Sequence, residues 1–181
     1  MRTLLPDFEI SKFGLSCRLV REDDAEFILS LRTDPNKNKY IHSTDSDIEK
    51  QREWIREYKK REELSLEYYF IYEKDGTPIG VNRIYDIADD HCTEGSWICL
   101  PLEDSSLTIA TALIIRDLIF GVFGFDYDVF NVSIGNKKVK KFHLISGAEI
   151  LREDNEQYYF ILNKDSYFKN RQWFINAYQL K

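Results

Sequence analysis

Short runs of apolar and aromatic residues alternate along this chain with segments whose apolar positions recur at helical spacing, and their order predicts the architecture. A strand is expected around Leu15 to Val20. Asp23 then stands as an N-cap with Glu26 three residues on, and Phe27, Ile28 and Leu31 form one apolar face before Pro35 stops the helix. After a loop carrying Tyr40 and Ile41, Ser46-Asp47-Ile48-Glu49 has the form of a capping box. Ile48, Ile55 and Tyr58 recur at helical spacing, so a second helix runs to about Arg61.

The Tyr-, Phe- and Ile-rich segment Glu67 to Glu73, the turn Asp75-Gly76 and the run Ile79 to Ile87 read as a hairpin, and a third strand spans Thr93 to Leu100. Beyond Pro101 comes an apolar helix, Leu107 to Phe123, interrupted by Arg116 and Asp117 and too short for the roughly 20 residues of a membrane span. A strand Tyr127 to Ile134 and a Lys-rich helix from Lys137, ended by Gly147, follow. A hairpin of Glu149 to Arg152 and Gln157 to Leu162 turns at Asp154-Asn155, leaving a polar-aromatic tail over 163–181. The pattern predicts an α/β fold with a mixed sheet in one domain, 1–181, whose core covers about 15–162.

Composition narrows the function classes. The 181 residues, 43% hydrophobic, suffice for one core and fall short of two typical domains. With 25 basic and 31 acidic residues the net charge is −6, which disfavours nucleic acid and anionic membrane as partners. Cys17, Cys92 and Cys99 form no CxxC pair and are odd in number, as suits reduced thiols; with no secretory leader pattern at Met1 to Phe13, a cytoplasmic location is expected.

Two segments carry a family resemblance. Glu94-Gly95-Ser96-Trp97-Ile98, followed by Ile109-Ala110-Thr111-Ala112-Leu113, is similar to the strand, turn and G-I-A-T-x-A-L helix of the GNAT superfamily of N-acyltransferases. Asn136 with Phe142-His143 and Gly147-Ala148 resembles that superfamily's segment between its fifth strand and last helix. Covering roughly Leu15 to Leu162, the resemblance is nearest to the branch of ribosomal-protein N-terminal acetyltransferases and nucleotide-amino-sugar N-acetyltransferases. Leu31-Arg32-Thr33-Asp34-Pro35, ahead of Tyr40-Ile41, looks like the substrate-side loop of the sugar enzymes. The resemblance implies a mixed sheet of about six or seven strands flanked by about four helices. It also implies acetyl-CoA as co-substrate, no metal, and a small-molecule amine acceptor, first a nucleotide-linked amino sugar. A protein N-terminal amine, or a degenerate domain that binds without catalysis, are the alternatives.

One departure stands out. The family's turn Q/R-x-x-G-x-G/A, which holds the coenzyme pyrophosphate on backbone N–H groups at a helix start, is here Ser105-Ser106-Leu107-Thr108-Ile109-Ala110. Thr108 replaces the glycine that lets the backbone approach, and Ser105 replaces a cationic or amide side chain. The plain alternative is that Ser105 or Ser106 merely caps a helix.

Acyl transfer to an amine needs a deprotonated amine, a stabilised oxyanion and a proton for the thiolate. By resemblance, Ile98, Cys99 and Leu100 match the strand that pairs with the pantetheine arm, Asn136 bonds its amides, and Phe142 and Lys138 complete the coenzyme site. Lys138 belongs to the run Lys137, Lys138, Lys140 and Lys141, a local anion site for a phosphorylated adenosine or simply a solvated helix face. His143 stands where many relatives place a tyrosine acid; it is a candidate acid, or base through water, against a half-buried His beside Phe142. Glu94 is a candidate base through water, against a strand carboxylate pointing at solvent. Cys99 reads as a small apolar strand residue, and His42 and His91 as incidental loop residues.

Arg32, Tyr40, Trp54, Asn82, Tyr85 and Trp97 are candidates for an acceptor pocket on the opposite side of the sheet, with Arg32 facing a diphosphate and the rings stacking on sugar or base. A homodimer is a further possibility, Trp173 and Phe174 serving either a dimer contact or packing across the sheet.

Overall fold

A computed structural model describes residues 3–41, 44–102 and 104–181. Its centre is an eight-stranded mixed sheet of order β1-β2-β3-β4-β5-β6-β8-β7. β1 (Glu9–Lys12) and β2 (Leu15–Leu19) form a hairpin across Phe13-Gly14, whose φ angles of 56° and 72° suit the twist of a two-residue turn. Helices α1 (Ala25–Thr33) and α2 (Ile48–Glu63) follow, then the hairpin β3 (Tyr68–Lys74) and β4 (Thr77–Tyr85), turning through Asp75-Gly76 at φ 51° and 75°. β5 (His91–Cys99) leads into α3 (Ser105–Asp117), which widens into a π-helical turn, Leu118–Phe123, and stops at left-handed Gly124. β6 (Tyr127–Ser133), α4 (Lys137–Ile145), the hairpin β7 (Glu149–Glu153) and β8 (Gln157–Asn163), and α5 (Lys164–Ala177) complete the chain.

The sheet is covered on both faces, which is why Tyr68 to Tyr72 of β3 are all buried where a half-covered strand would alternate. On one face, α1 and α2 pack Ile28, Leu31, Ile55 and Tyr58 against Tyr69, Ile71, Val81 and Ile98. On the other, Leu113, Ile114 and Leu118 of the α3 segment meet Phe70, Ile84, Phe130 and Phe160, with Tyr167 and Phe174 of α5 beside them. The segment Ser105–Phe123 is apolar enough to pass for a membrane span, but its apolar residues are mostly buried in this core.

Among the described residues, eight strands and five α-helices exceed the six or seven and four expected, and two elements account for the difference. β1 escapes a pattern reading because Glu-Ile-Ser-Lys carries a single apolar residue. The supposed tail holds α5: Asn163 caps it by accepting the Ser166 N–H at 2.8 Å, and Tyr167 and Phe174, two turns apart, are buried. Phe174 therefore belongs to the core, while Trp173 is 54% exposed. Two caps also move. Asp47, not Ser46, caps α2 by accepting the N–H groups of Glu49 and Lys50. Ahead of α1, Glu22–Asp24 form a short 3₁₀ turn in which Asp24, not Asp23, accepts the Arg21 N–H.

Candidate active site

Two irregularities in the sheet build the site. β5 and β6 are parallel and pair only at His91, Cys92 and Thr93 with Tyr127, Asp128 and Val129. β5 then runs on to Cys99 and β6 to Ser133 with no further pairing, so the strands diverge and leave a gap lined by backbone. Within β5, Val81 pairs with Ile98 and Arg83 with Gly95, so Ser96 and Trp97 together oppose Asn82. Ser96 takes the left-handed conformation, φ 55°, of a β-bulge. The extra residue turns Trp97 and Cys99 to the α3 face, the face Glu94 already occupies.

Of the strand residues expected to meet pantetheine, Leu100 donates its N–H to Ile79 at 2.8 Å, and the Ile98 side chain is buried under α1 and α2. Strand alternation directs the backbone groups of Cys99 away from β4, toward the gap. The Cys99 thiol lies 3.6 Å from Thr111 Oγ1, and burial pushes its pKa up to about 11, so it stays a thiol.

At the start of α3, the cap is neither Ser105 nor Ser106. Asp104 accepts the Ser106 N–H at 2.8 Å, and hydrogen bonds from Ser106 hold its carboxyl below its ordinary range. A carboxylate thus sits at the helix end where the family binds pyrophosphate. Leu107, Thr108 and Ile109 are half-buried behind it and Ala110 is fully buried. Asn136 caps α4, its side-chain oxygen accepting the Val139 N–H at 3.4 Å. Lys138 is exposed, Lys140 lies 3.6 Å from the Tyr158 ring centroid, and Phe142 packs on Trp97 at 5.4 Å.

Glu94 and His143, proposed separately from sequence, meet in one buried polar cluster at the apex of the gap. Arg116 of α3, fully buried, joins them: its Nη2 is 2.8 Å from His143 Nδ1 and its Nε 3.2 Å from Glu94 Oε2. Asn82 donates to Glu94 Oε1 at 3.0 Å. Asp128 accepts the Glu94 backbone N–H at 3.0 Å, and its other oxygen lies 3.9 Å from Arg116 Nε. One guanidinium cannot neutralise two buried carboxylates, so burial, reinforced by Glu94, raises the Asp128 pKa well above its ordinary value. Burial and the Arg116 charge push His143 well below its usual value. Glu94 is therefore not pointing at solvent, and His143 is a core residue beside Phe130, with ring centroids 4.3 Å apart.

On the other face, a cavity of about 230 Å³ lies between the early helices and the sheet, lined by Arg32, Thr44, Gln51, Trp54, Tyr69 and Arg83. Arg32 Nε donates to Thr44 at 2.7 Å. Arg83 is paired with Glu67 and stacks over Trp54 and Tyr85, with guanidinium to ring centroid distances of 5.2 and 4.9 Å. Burial raises the Tyr69 phenol to about 12 despite the facing Arg32 and Arg83, so it remains an O–H donor. Of the six expected acceptor residues, Arg32 and Trp54 line this cavity and the other four do not. Asn82 and Trp97 face α3, Asn82 by strand alternation against Arg83 and Trp97 because of the bulge. Tyr85 stays on the acceptor face, its ring over Gly95. Tyr40 reaches the turn before α4 and donates to the Gly135 carbonyl at 2.9 Å.

Arg116, Asp128, Thr44, Gln51, Tyr69 and Arg83 carry no site role in the sequence reading. A signal existed for Arg116: a cation inside an apolar helix, flanked by residues that must be core, demands a buried partner. His91 is remote, paired with Asp90 at 2.7 Å, and His42 lies outside the described residues.

Comparison with known proteins agrees with this geometry. The acetyltransferase (GNAT) domain family matches residues 15–149. Among solved structures, the apo form of FdhC, a nucleotide-linked sugar GNAT, is 37% identical over 97% of this chain and 99% of its own, with a TM-score of 0.84. Ribosomal-protein-S5-alanine acetyltransferase from Vibrio fischeri is 12% identical over 89% of this chain and 99% of its own, with a TM-score of 0.72. Spermidine N-acetyltransferase from Vibrio cholerae, in complex with CoA and spermine, is 16% identical over 86% and 98%, with a TM-score of 0.70. Comparison with curated proteins gives no match. With diverging β5 and β6, the bulge at Ser96 and a family match over most of its length, the chain belongs to the GNAT acetyltransferases and is an acetyltransferase.

Proposed function

We propose that the chain transfers an acetyl group from acetyl-CoA to the amino group of a nucleotide-linked amino sugar. The observation that carries the acceptor class is the cavity on the α1 and α2 face. Arg32, Arg83, Gln51, Thr44 and Tyr69 all carry N–H or O–H donors, and among the described residues none that lines it is a carboxylate. Such a lining suits phosphate oxygens and repels a polycation such as spermine. Trp54, stacked on Tyr58 with centroids 5.9 Å apart and carrying Arg83, gives the lining an aromatic wall against which a sugar or base can pack. The likeness to a nucleotide-linked sugar GNAT supports the same acceptor.

The residues present fit the co-substrate. The backbone of Cys99 faces the gap, and Asn136 follows the end of β6, the strand across it; strand backbone and an amide suit the two amides of pantetheine. Acetyl-CoA, when bound, supplies the thioester. The chain's own residues orient it: the bulge at Ser96 frees backbone donors from the ladder, and the Glu94 cluster lies at the gap's apex.

The test is a thermal-shift and calorimetric titration with acetyl-CoA, on the native chain and on Asn136→Ala, followed by turnover on a panel of nucleotide-linked amino sugars, spermine and a peptide amine. Saturable binding weakened by the substitution, with turnover confined to the sugars, is the expected result. Turnover of the peptide or spermine alone removes the acceptor assignment, and no binding at millimolar acetyl-CoA removes the enzymatic reading.

A further inference from the structure

A guanidinium has N–H donors and no acceptor. Arg116 Nη2 lies 2.8 Å from His143 Nδ1, both side chains buried, so the nitrogen facing it must offer a lone pair and the ring proton must sit on Nε2. An imidazolium would set N–H against N–H and place a second positive charge beside the first, away from water. The tautomer thus follows from the donor chemistry of one neighbour.

The His143 ring also occupies a telling position. Its centroid is 6.4 Å from Trp97 of β5 and 4.3 Å from Phe130 of β6, both beyond the last paired residues of the two strands. It therefore bridges the α3 side of the gap. Phe142 and Phe160, at 5.3 and 5.7 Å, complete an aromatic cage around it. Among the described residues, Arg116 is its one polar side-chain partner. Arg116 in turn is held by Glu94, by Asp128 and by Ser146 Oγ at 3.4 Å, and among the described residues these two carboxyl groups and Arg116 are the titratable groups around the ring.

We propose that Arg116 is a positioning residue that fixes His143 as a neutral imidazole, with its Nε2–H offered to the gap between β5 and β6 as a hydrogen-bond donor to the thioester. The role at the thioester rests on the reading of that gap as the acetyl-CoA site. His143 then acts as a fixed dipole. It neither gives up nor gains a net proton during turnover.

The imidazole nitrogens of the ¹⁵N-histidine-labelled full chain, assigned with His143→Gln, report the tautomer directly. A bare Nδ1 and a protonated Nε2, unchanged from about pH 5.5 to 8.5, are expected. A protonated Nδ1, or a titration midpoint in that range, overturns the proposal. In steady-state kinetics, His143→Gln, whose amide nitrogen stands in for Nε2, should keep kcat within roughly tenfold, while His143→Ala loses on the order of 10²-fold. Equal losses in the two variants, or none in the alanine variant, overturn the donor role. Arg116→Gln, which keeps a donor and removes the charge, should bring a new limb into the pH dependence of kcat; where it does not fold, the native tautomer decides. Absence of turnover on every acceptor overturns the functional reading instead, and the tautomer measurement still decides whether Arg116 holds His143 as stated.

Discussion

The Tyr40 hydroxyl donates to the Gly135 carbonyl at 2.9 Å, joining two loops 95 positions apart. Tyr40 closes the short helical turn Asn38–Tyr40 between α1 and α2, and Gly135 immediately precedes Asn136 at the start of α4. A Cβ on Gly135 would stand 2.9 Å from Tyr40 Cε1, so glycine is what allows the ring to lie there. The contact couples the acceptor-side loop to the turn that carries the proposed coenzyme amide.

Because that contact has one foot on each substrate's side, Gly135→Ala should raise KM for both acetyl-CoA and acceptor, by about three- to tenfold, with a smaller effect on kcat. Tyr40→Phe removes one solvent-facing hydrogen bond worth about 0.5–1.5 kcal/mol and should move the same constants less. Initial-rate kinetics with each substrate varied in turn check this. If only one KM responds, the two loops are not coupled.

Asp104 sets the coenzyme affinity in the second prediction. Its carboxylate caps α3 at the point where phosphate oxygens would seek the same N–H groups. Asn is an equally good N-cap without the charge. Asp104→Asn should therefore leave Tm within about a degree and tighten acetyl-CoA binding roughly three- to tenfold at low salt, less at high salt. Calorimetry at two ionic strengths measures it. Unchanged affinity would mean that the pyrophosphate lies away from this helix end.

Much of this architecture was legible because it rests on local rules. Asp75-Gly76 marks its hairpin turn, α4 begins at Lys137 as the pattern predicts, and Gly147 ends it in a left-handed conformation at φ 94°. What escaped was long-range. Residue type alone groups Trp97 and Asn82 with Arg32 in an acceptor pocket, and a single extra residue at Ser96 reverses the face that Trp97 presents. Arg116 and Asp128 look like interruptions of apolar runs until the fold brings them 3.9 Å apart around Glu94. Tyr69 and Arg83 read as ordinary strand residues, since nothing local to β3 or β4 says that a cavity lies above them.

The acceptor cavity yields the third prediction. Arg32→Met keeps most of the side-chain volume and removes the donors, so acceptor KM should rise on the order of tenfold or more, as for loss of a hydrogen bond to a charged group at about 1.5–3 kcal/mol. The KM for acetyl-CoA should not move. Arg83→Met takes one of the two cations from buried Glu67, leaving Arg61 at 2.5 Å, and should also lower Tm. Parallel kinetics and melting curves separate the two, and a rise in the acetyl-CoA constant with Arg32→Met would place that residue on the wrong substrate.

Asp128 gives a stability prediction whose sign can be worked out. Its ordinary value is near 3.8 and burial raises it well above that, so above about pH 4 the unfolded chain releases a proton that the folded chain keeps. The stability contributed by the protonated form is complete below pH 4 and is lost as pH rises toward the folded pKa. Asp128→Asn mimics the neutral acid, and its oxygen can still accept the Glu94 N–H that Asp128 takes at 3.0 Å. The Tm difference, variant minus native, should then grow more positive from pH 5 to 8. His143, depressed from 6.5, destabilises both proteins alike as pH falls below that value, so it cancels in the difference. A difference that grows more negative with pH would show that Arg116 requires Asp128 as an anion, and that the cluster holds two carboxylates and no shared proton.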